Sequence, residues 1–514
     1  MHNSRKNNPT VIIIVGFEPE HMKFRAKLLG YVVTIKYLDI YIYKIVNVFN
    51  QSIVAAYSGI ALELKMFFKY AYRTYLRYGY DDRAKPIWGD QFSFLTMTAT
   101  KSLLLVQLIV LMAVWPGVSG SWYQTIENPY TLFGTKTTYS DVSGEGFHFP
   151  SECTPLQVWM LCRHGTRYPS KHMIKKINRL DRFKTMITDM SQEKLRAIYN
   201  WKSHLTLNND CNLQSRGVEE MKSLATRLKS QLPQLFKSQY DEISFKFMSS
   251  NKPRTKESIN VFFESMFNEK PKDLPIAQPS DYRLCLSKWK QKEDDENDEK
   301  IDEEKKFEES SYVQSVVSRV SKAMGLEQNL SYEDVSVMFE SCKYETAWTD
   351  QKPAWCAVFT IDDFEILGYL EDLRYYYASG YGNPDIESMG CPILKDMIDN
   401  FKKLTRGETG PNGIFYFGHT PNILSMAAML GIGKDDTPLL STNYENMKSR
   451  QWKTSYIDPY AANIIAVFFK CKNKYKVMFS LNENVLKSKD RLQLYSWQKI
   501  EAHFEPIISK FCTP

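Results

Sequence analysis

Residues 156–170 read LQVWMLCRHGTRYPS. The first seven, LQVWMLC, are almost wholly apolar. They are too few for an ordinary helix and suit a strand buried on both faces. The chain then leaves this run through Arg163, His164 and Arg167. In open α/β sheets, ligands gather outside the carboxyl ends of strands, so these three side chains are expected to project into a crevice. Two guanidiniums offer planar, permanently charged donor forks that match phosphate oxygens. An imidazole between them can attack phosphorus and carry the phosphoryl group. Gly165 is expected to let the backbone approach the phosphate, Thr166 to bind substrate, and Pro169 to end the loop.

Outward from this stretch, ISFKFMSS at 243–250 and GIFYFGH at 413–419 read as further strands. NIIAVFFKC at 463–471 and KYKVMFSL at 474–481 read as a pair joined by a tight turn. Between them, Val218, Met221, Leu224, Ala225, Leu228 and Leu232 recur at helical spacing within 215–236. Strands separated by helices predict an α/β fold with a mostly parallel central sheet flanked by helices. The run 291–310 carries eleven acids against four lysines and reads as a solvated loop or helix face.

Charge excludes one class of function. The 514 residues carry a net +7, but residues 1–96 hold 13 Lys/Arg against 7 Asp/Glu, and Lys101 adds another positive charge. The body, 121–514, is therefore neutral, and no nucleic-acid surface is expected. Residues 102–114, SLLLVQLIVLMAV, are an uncharged run too short to span a membrane. With Lys101 before it and the small residues of WPGVSG after it, 97–120 reads as a signal peptide starting at Met97. An internal signal-anchor is the alternative. Residues 1–96 are then an N-terminal extension, artefactual if translation starts at Met97. All nine cysteines lie in the body, which suits a secreted or lumenal protein with disulfides. Their odd number leaves at least one thiol over, and Cys162 is the candidate. No spacing reads as a metal site, and no cofactor is expected. The sequon at Asn329 is an acceptor for glycosylation if the chain is secreted.

The pattern RHGxRxP at 163–169 resembles the signature of the histidine acid phosphatases. LFGTKTTY at 132–139, LEDLRYYYASGYGNP at 370–384, MGCPIL at 389–394, SRQWKTSYIDPYAANI at 449–464 and LNEN at 481–484 narrow the resemblance to the multiple inositol polyphosphate phosphatases. It implies a phosphatase domain over 121–514, with a smaller helical cap inserted roughly within 171–210 and 270–390. It implies a phosphomonoesterase that hydrolyses inositol polyphosphates, phytate included, with no metal and no stable membrane span in the mature chain. His164 then matches the nucleophile, and Arg163, Arg167 and Arg254 match phosphate-binding arginines. His419 matches a second histidine that hydrogen-bonds the transferred phosphoryl group, and Lys136 a lysine for a peripheral phosphate.

One departure stands out. In the family the second histidine is followed by an acid, as His-Asp or His-Ala-Glu, which protonates the leaving oxygen. Here the chain reads GHTPNILSMAAMLGI, with Thr420 in place of the Asp and Pro421 in place of the Glu. Loss of a general acid costs about 10²–10⁴ in rate. This leaves a slower phosphatase, a degenerate phosphatase that binds phosphorylated ligands, or a general acid or bisphosphoglycerate phosphatase.

Overall fold

The computed structural model describes residues 128–187, 189–237, 239–284, 300–349, 352–487 and 494–512. The expected extension 1–96 and signal peptide 97–120 lie outside them. The run LQVWMLC is the heart of strand β1, Cys153–Arg163. The other strands are β2 (Phe245–Ser249), β3 (Gly413–Gly418), β4 (Asn463–Cys471), β5 (Lys474–Leu481) and two short edge strands, β6 (Asn484–Val485) and β7 (Tyr495–Ser496). They form one sheet in the order β2-β3-β1-β4-β5-β6, with β7 also pairing with β5.

The α/β fold is as expected, but parallel register is confined to β2, β3 and β1. β4 runs antiparallel to β1 and β5 antiparallel to β4, with Cys471 opposite Lys474 at the tight turn of this hairpin. The sheet is therefore mixed. A two-residue turn can join only antiparallel strands, so the hairpin read from sequence already implied this half.

Both faces of the sheet are covered, which is why β1 carries no polar alternation. On one face Val158, Met160 and Cys162 pack with Met221, Leu224 and Leu228 of α1 (Ser215–Gln231) and with Ile259, Phe262 and Phe263 of α2 (Pro253–Phe267). On the other, Trp159 and Leu161 pack with Leu394, Ile398 and Phe401 of α3 (Ile386–Thr405) and with Ile423 and Leu424 of α4 (Thr420–Met429). The segments expected to form a cap contain helices at Lys171–Asn178, Glu193–Asn200, Ser311–Ala323, Tyr332–Trp348 and Ile361–Ser379. The end of the acidic run forms a helix, Lys300–Glu308.

Among the described residues, disulfides join Cys153–Cys471, Cys342–Cys356 and Cys391–Cys512, while Cys162 and Cys211 are free thiols. Cys153 and Cys471 face each other in register at the open ends of β1 and β4. Replacing both with serine should lower unfolding free energy by about 2–5 kcal/mol, read from a denaturant melt. The bond lies a whole strand from His164, so turnover at 25 °C should persist. An unchanged melt would show that the register needs no covalent pin.

Candidate active site

Four chain crossings meet at one edge of the sheet. Arg163 ends β1 opposite Gly418, the last residue of β3. Ser249 ends β2 opposite Phe417, and Asn463 begins β4 opposite Cys162. His164 and His419 follow β1 and β3 directly, and their rings lie 5.6 Å apart between centroids.

His164 is buried, 2% exposed. Its Nδ1 lies 2.9 Å from the carbonyl oxygen of Gly165. A carbonyl can only accept, so Nδ1 carries the hydrogen and Nε2 keeps its lone pair. Burial holds this imidazole well below its usual pKa, and Arg163, Arg167, Arg254 and His419 push it the same way. A neutral ring with a free Nε2 is the form that attacks phosphorus.

Arg163 is also buried, and its Nη1 donates to the carbonyls of Thr135 (2.6 Å), Asp458 (2.8 Å) and Pro459 (2.9 Å). Its guanidinium lies over the Tyr460 ring, 5.0 Å from the centroid. Arg167 donates through Nη1 to the Tyr168 carbonyl at 2.8 Å and approaches the Tyr344 hydroxyl at 3.4 Å. Arg254, at the start of α2, is pushed down to about 10 by burial and by the neighbouring cations Arg167 and Arg163, with Cys211 partly opposing. The Nε of each of these three arginines is buried without a hydrogen-bond partner. Buried N–H donors are almost always paired. Three orphaned donors on crowded cations around one neutral imidazole fit the oxygens of a phosphoryl group.

His419 is set by Arg254, expected from the sequence, and by Ser250, which sequence reasoning missed. Arg254 Nη2 lies 3.2 Å from its Nδ1, and Ser250 Oγ lies 2.7 Å from its Nε2. Because a guanidinium only donates, Nδ1 accepts and Nε2 donates to Ser250. A hydrogen bond from Nδ1 to a phosphoryl oxygen therefore requires the imidazolium, which an arriving dianion would stabilise.

One expectation for the motif loop needs correction. Thr166 is fully buried, and both its N–H and its hydroxyl donate to Glu220, at 2.7 and 2.8 Å. It ties the loop to α1 and does not present its hydroxyl to substrate. Gly165 is required by the protein's own packing. A Cβ there would lie 2.6 Å from the Gly217 carbonyl oxygen, and its N–H donates to Ser258 Oγ at 3.1 Å. Glu220, Ser250 and Ser258 gave no sequence signal beyond lying on or beside predicted elements.

Residues 156–483 match the profile of the histidine phosphatase superfamily (branch 2). The chain belongs to this superfamily. Multiple inositol polyphosphate phosphatase 1 of Drosophila melanogaster is 31% identical over 384 residues, 69% of this chain and 80% of its own length. The phytase of D. castellii shares the fold with a TM-score of 0.64 at 19% identity, over 76% of this chain and 90% of its own. The Bifidobacterium longum multiple inositol polyphosphate phosphatase in complex with inositol hexasulfate gives 0.56 at 14%, over 72% and 97%.

As a histidine phosphatase, the protein acts on phosphorylated small molecules. The segment that narrowed the resemblance, 132–139, buttresses the site. Thr135, whose carbonyl receives Arg163, itself donates to Glu371 through N–H (2.8 Å) and hydroxyl (2.6 Å). Glu371 belongs to LEDLR, so two motifs distant in sequence make one contact. Lys136 lies 3.6 Å from Glu340 and 3.8 Å from Glu371, and 5.9 Å from the centre of the Tyr344 ring that also neighbours Arg167. It thus stands at the site wall with its charge already answered, and a peripheral phosphate would compete with two carboxylates.

The tightest backbone approach gives a sharp test. A Cβ on Gly217 would sit 2.3 Å from the Thr166 carbonyl oxygen and 2.8 Å from its nitrogen. Backbone cannot yield as a side-chain tip can, so Gly217→Ala should displace the 164–167 loop. Phosphatase activity should fall by about 10²-fold, with destabilisation of about 1–3 kcal/mol in a denaturant melt. Unchanged kcat would show that the loop tolerates that shift.

Proposed function

We propose that this protein hydrolyses inositol polyphosphates in two steps through a phosphohistidine at His164. The observation that carries this reading is the neutral His164 ring, its Nδ1–H given to the Gly165 carbonyl and its Nε2 left with a lone pair, among three guanidiniums with orphaned Nε–H groups. Arg163, Arg167 and Arg254 hold the phosphoryl oxygens and neutralise the charge that builds in transfer. His419 donates to the same group, and a second phosphate of the substrate competes with Glu340 and Glu371 for Lys136. The resident chemistry needs no metal. The Drosophila relative and the Bifidobacterium neighbour, by their names, are multiple inositol polyphosphate phosphatases, and this supports the substrate class.

The helices within 171–210 and 270–390 form the cap beside the crevice in this reading. The protein works in the secretory lumen or outside the cell, supported by three disulfides. No described helix is long and apolar enough to cross a membrane.

A second reading is a degenerate phosphatase that holds phosphorylated ligands with little turnover. Thr420 and Pro421 favour it, since neither supplies a carboxyl next to His419.

Phosphate release from inositol hexakisphosphate by the full chain decides between them. The wild type should release phosphate. His164→Ala should cut turnover by about 10³-fold or more while phosphate affinity stays within a few-fold, because the arginines remain. Ligand binding without release in the wild type would establish the second reading. Unchanged turnover in His164→Ala would remove His164 as nucleophile.

A further inference from the structure

The leaving group of an inositol phosphate is an alkoxide, which departs slowly unless a proton reaches its oxygen as the P–O bond breaks. Thr420 and Pro421 offer none of their own. Yet the site contains a carboxyl that the mechanism so far does not use. Asp458, in the sequence IDPY, is completely buried. Its backbone is fixed: the N–H donates to Thr454 at 2.8 Å and the carbonyl receives Arg163. Neither of its carboxyl oxygens is satisfied by a full hydrogen bond. Arg163 Nη1 stands 3.4 Å from Oδ2, already committed to three carbonyls. The hydroxyl that approaches this carboxyl is that of Thr420, which directly follows His419 and retains 8% exposure.

We propose that Asp458 is the proton reservoir of this phosphatase and that the Thr420 hydroxyl passes its proton to the leaving oxygen. The inference rests on the phosphatase reading and deepens it. In the first step His164 Nε2 bonds to phosphorus, the ester P–O bond breaks, and its electron pair goes to the alkoxide. Thr420 Oγ–H protonates that oxygen while Asp458 reprotonates Oγ. The Asp458 carboxylate so formed is stabilised by Arg163 beside it. In the second step water attacks phosphorus and the P–N bond breaks with its pair returning to Nε2. The water proton travels through Thr420 to Asp458. One ester and one water give one alcohol and one phosphate, and both side chains return to their starting state.

The environment suits the role. Burial pushes the Asp458 carboxyl up to about 7, with Arg163 and Thr420 opposing, Glu371 adding to the rise and Lys136 opposing it. Asp458 is thus protonated in weak acid. Two rivals fit less well. Burial raises Glu220 to about 7 as well, but both its oxygens accept from Thr166. The Tyr460 hydroxyl is buried without a partner, but burial and the nearby Tyr344 raise it well above the usual phenol value against the opposing pull of Arg167 and Arg163, making it a poor acid.

The test compares inositol hexakisphosphate with p-nitrophenyl phosphate, whose leaving group needs little protonation. In the full chain, Asp458→Asn should lower kcat on the inositol phosphate by about 10²-fold or more. The loss on p-nitrophenyl phosphate should be at least tenfold smaller. The acid must be protonated to work, so the wild-type rate on inositol hexakisphosphate should fall as pH rises through about 7. That alkaline limb should vanish in Asp458→Asn. Thr420→Val should reproduce the leaving-group split and Thr420→Ser should largely restore the wild-type rate, so the relay is tested even if Asp458→Asn does not fold. In Thr420→Ala/Pro421→Glu, a new carboxyl beside His419 should make a further Asp458→Asn change cost less than tenfold. Equal losses on both substrates would make Asp458 a buttress of Arg163 and overturn the relay, as would wild-type rates in Asp458→Asn or Thr420→Val. A wild type inactive on both substrates would instead overturn the phosphatase reading.

Discussion

The site is organised around the burial of one cation. The Arg163 guanidinium sits inside the protein, and desolvating a charge is tolerable only when its surroundings answer it. Its Nη1 draws in the carbonyl of Thr135, far upstream, and those of Asp458 and Pro459, far downstream. These bonds gather two segments far apart in sequence against the end of β1. Asp458 is held beside Arg163 by the same arrangement, and Tyr460 lies under the guanidinium. The arginine cluster and the Asp458 carboxyl therefore share one origin.

Positive charge is concentrated on one side of the crevice and balanced on the other. Around His164 the three arginines face no carboxylate bidentately among the described residues, and burial, with Arg167 and Arg163 beside it, takes part of the basicity of Arg254. A few residues away, Lys136 and Lys343 meet Glu340 and Glu371 in a compact set of two cations and two anions. The difference is chemical: the first cluster is complete only with an anion from outside, the second is complete within the protein.

The frame was legible because buried strands announce themselves. β1, β3 and β4 are apolar on both faces, and their ends fell within three residues of the expected positions. The motif residues Arg163, His164 and Arg167, together with Arg254 and His419, do converge, since each follows a strand whose carboxyl end is at the same edge. What could not be read were partners joined only by folding. Gly165 needs Gly217, Thr166 needs Glu220, and His419 needs Ser250. No local pattern ties these pairs, which lie 52, 54 and 169 residues apart. The parallel extent of the sheet was overstated because strand direction depends on how each connection returns, and only the β4–β5 hairpin carries that information locally.

The two imidazoles follow neighbouring parallel strands at matched register, Arg163 opposite Gly418. Their spacing is thus inherited from the distance between adjacent strands, about 4.8 Å in any sheet. Loops can lengthen, helices can be inserted, and the entrance can be recut for new esters, but that interval cannot drift by fractions of an ångström. The backbone ladder acts as a ruler whose smallest division is one strand. Evolution of the rim is therefore uncoupled from the geometry at phosphorus, and a chain could exchange the residues that feed protons into the site while the nucleophile and its neighbour stay where the sheet puts them.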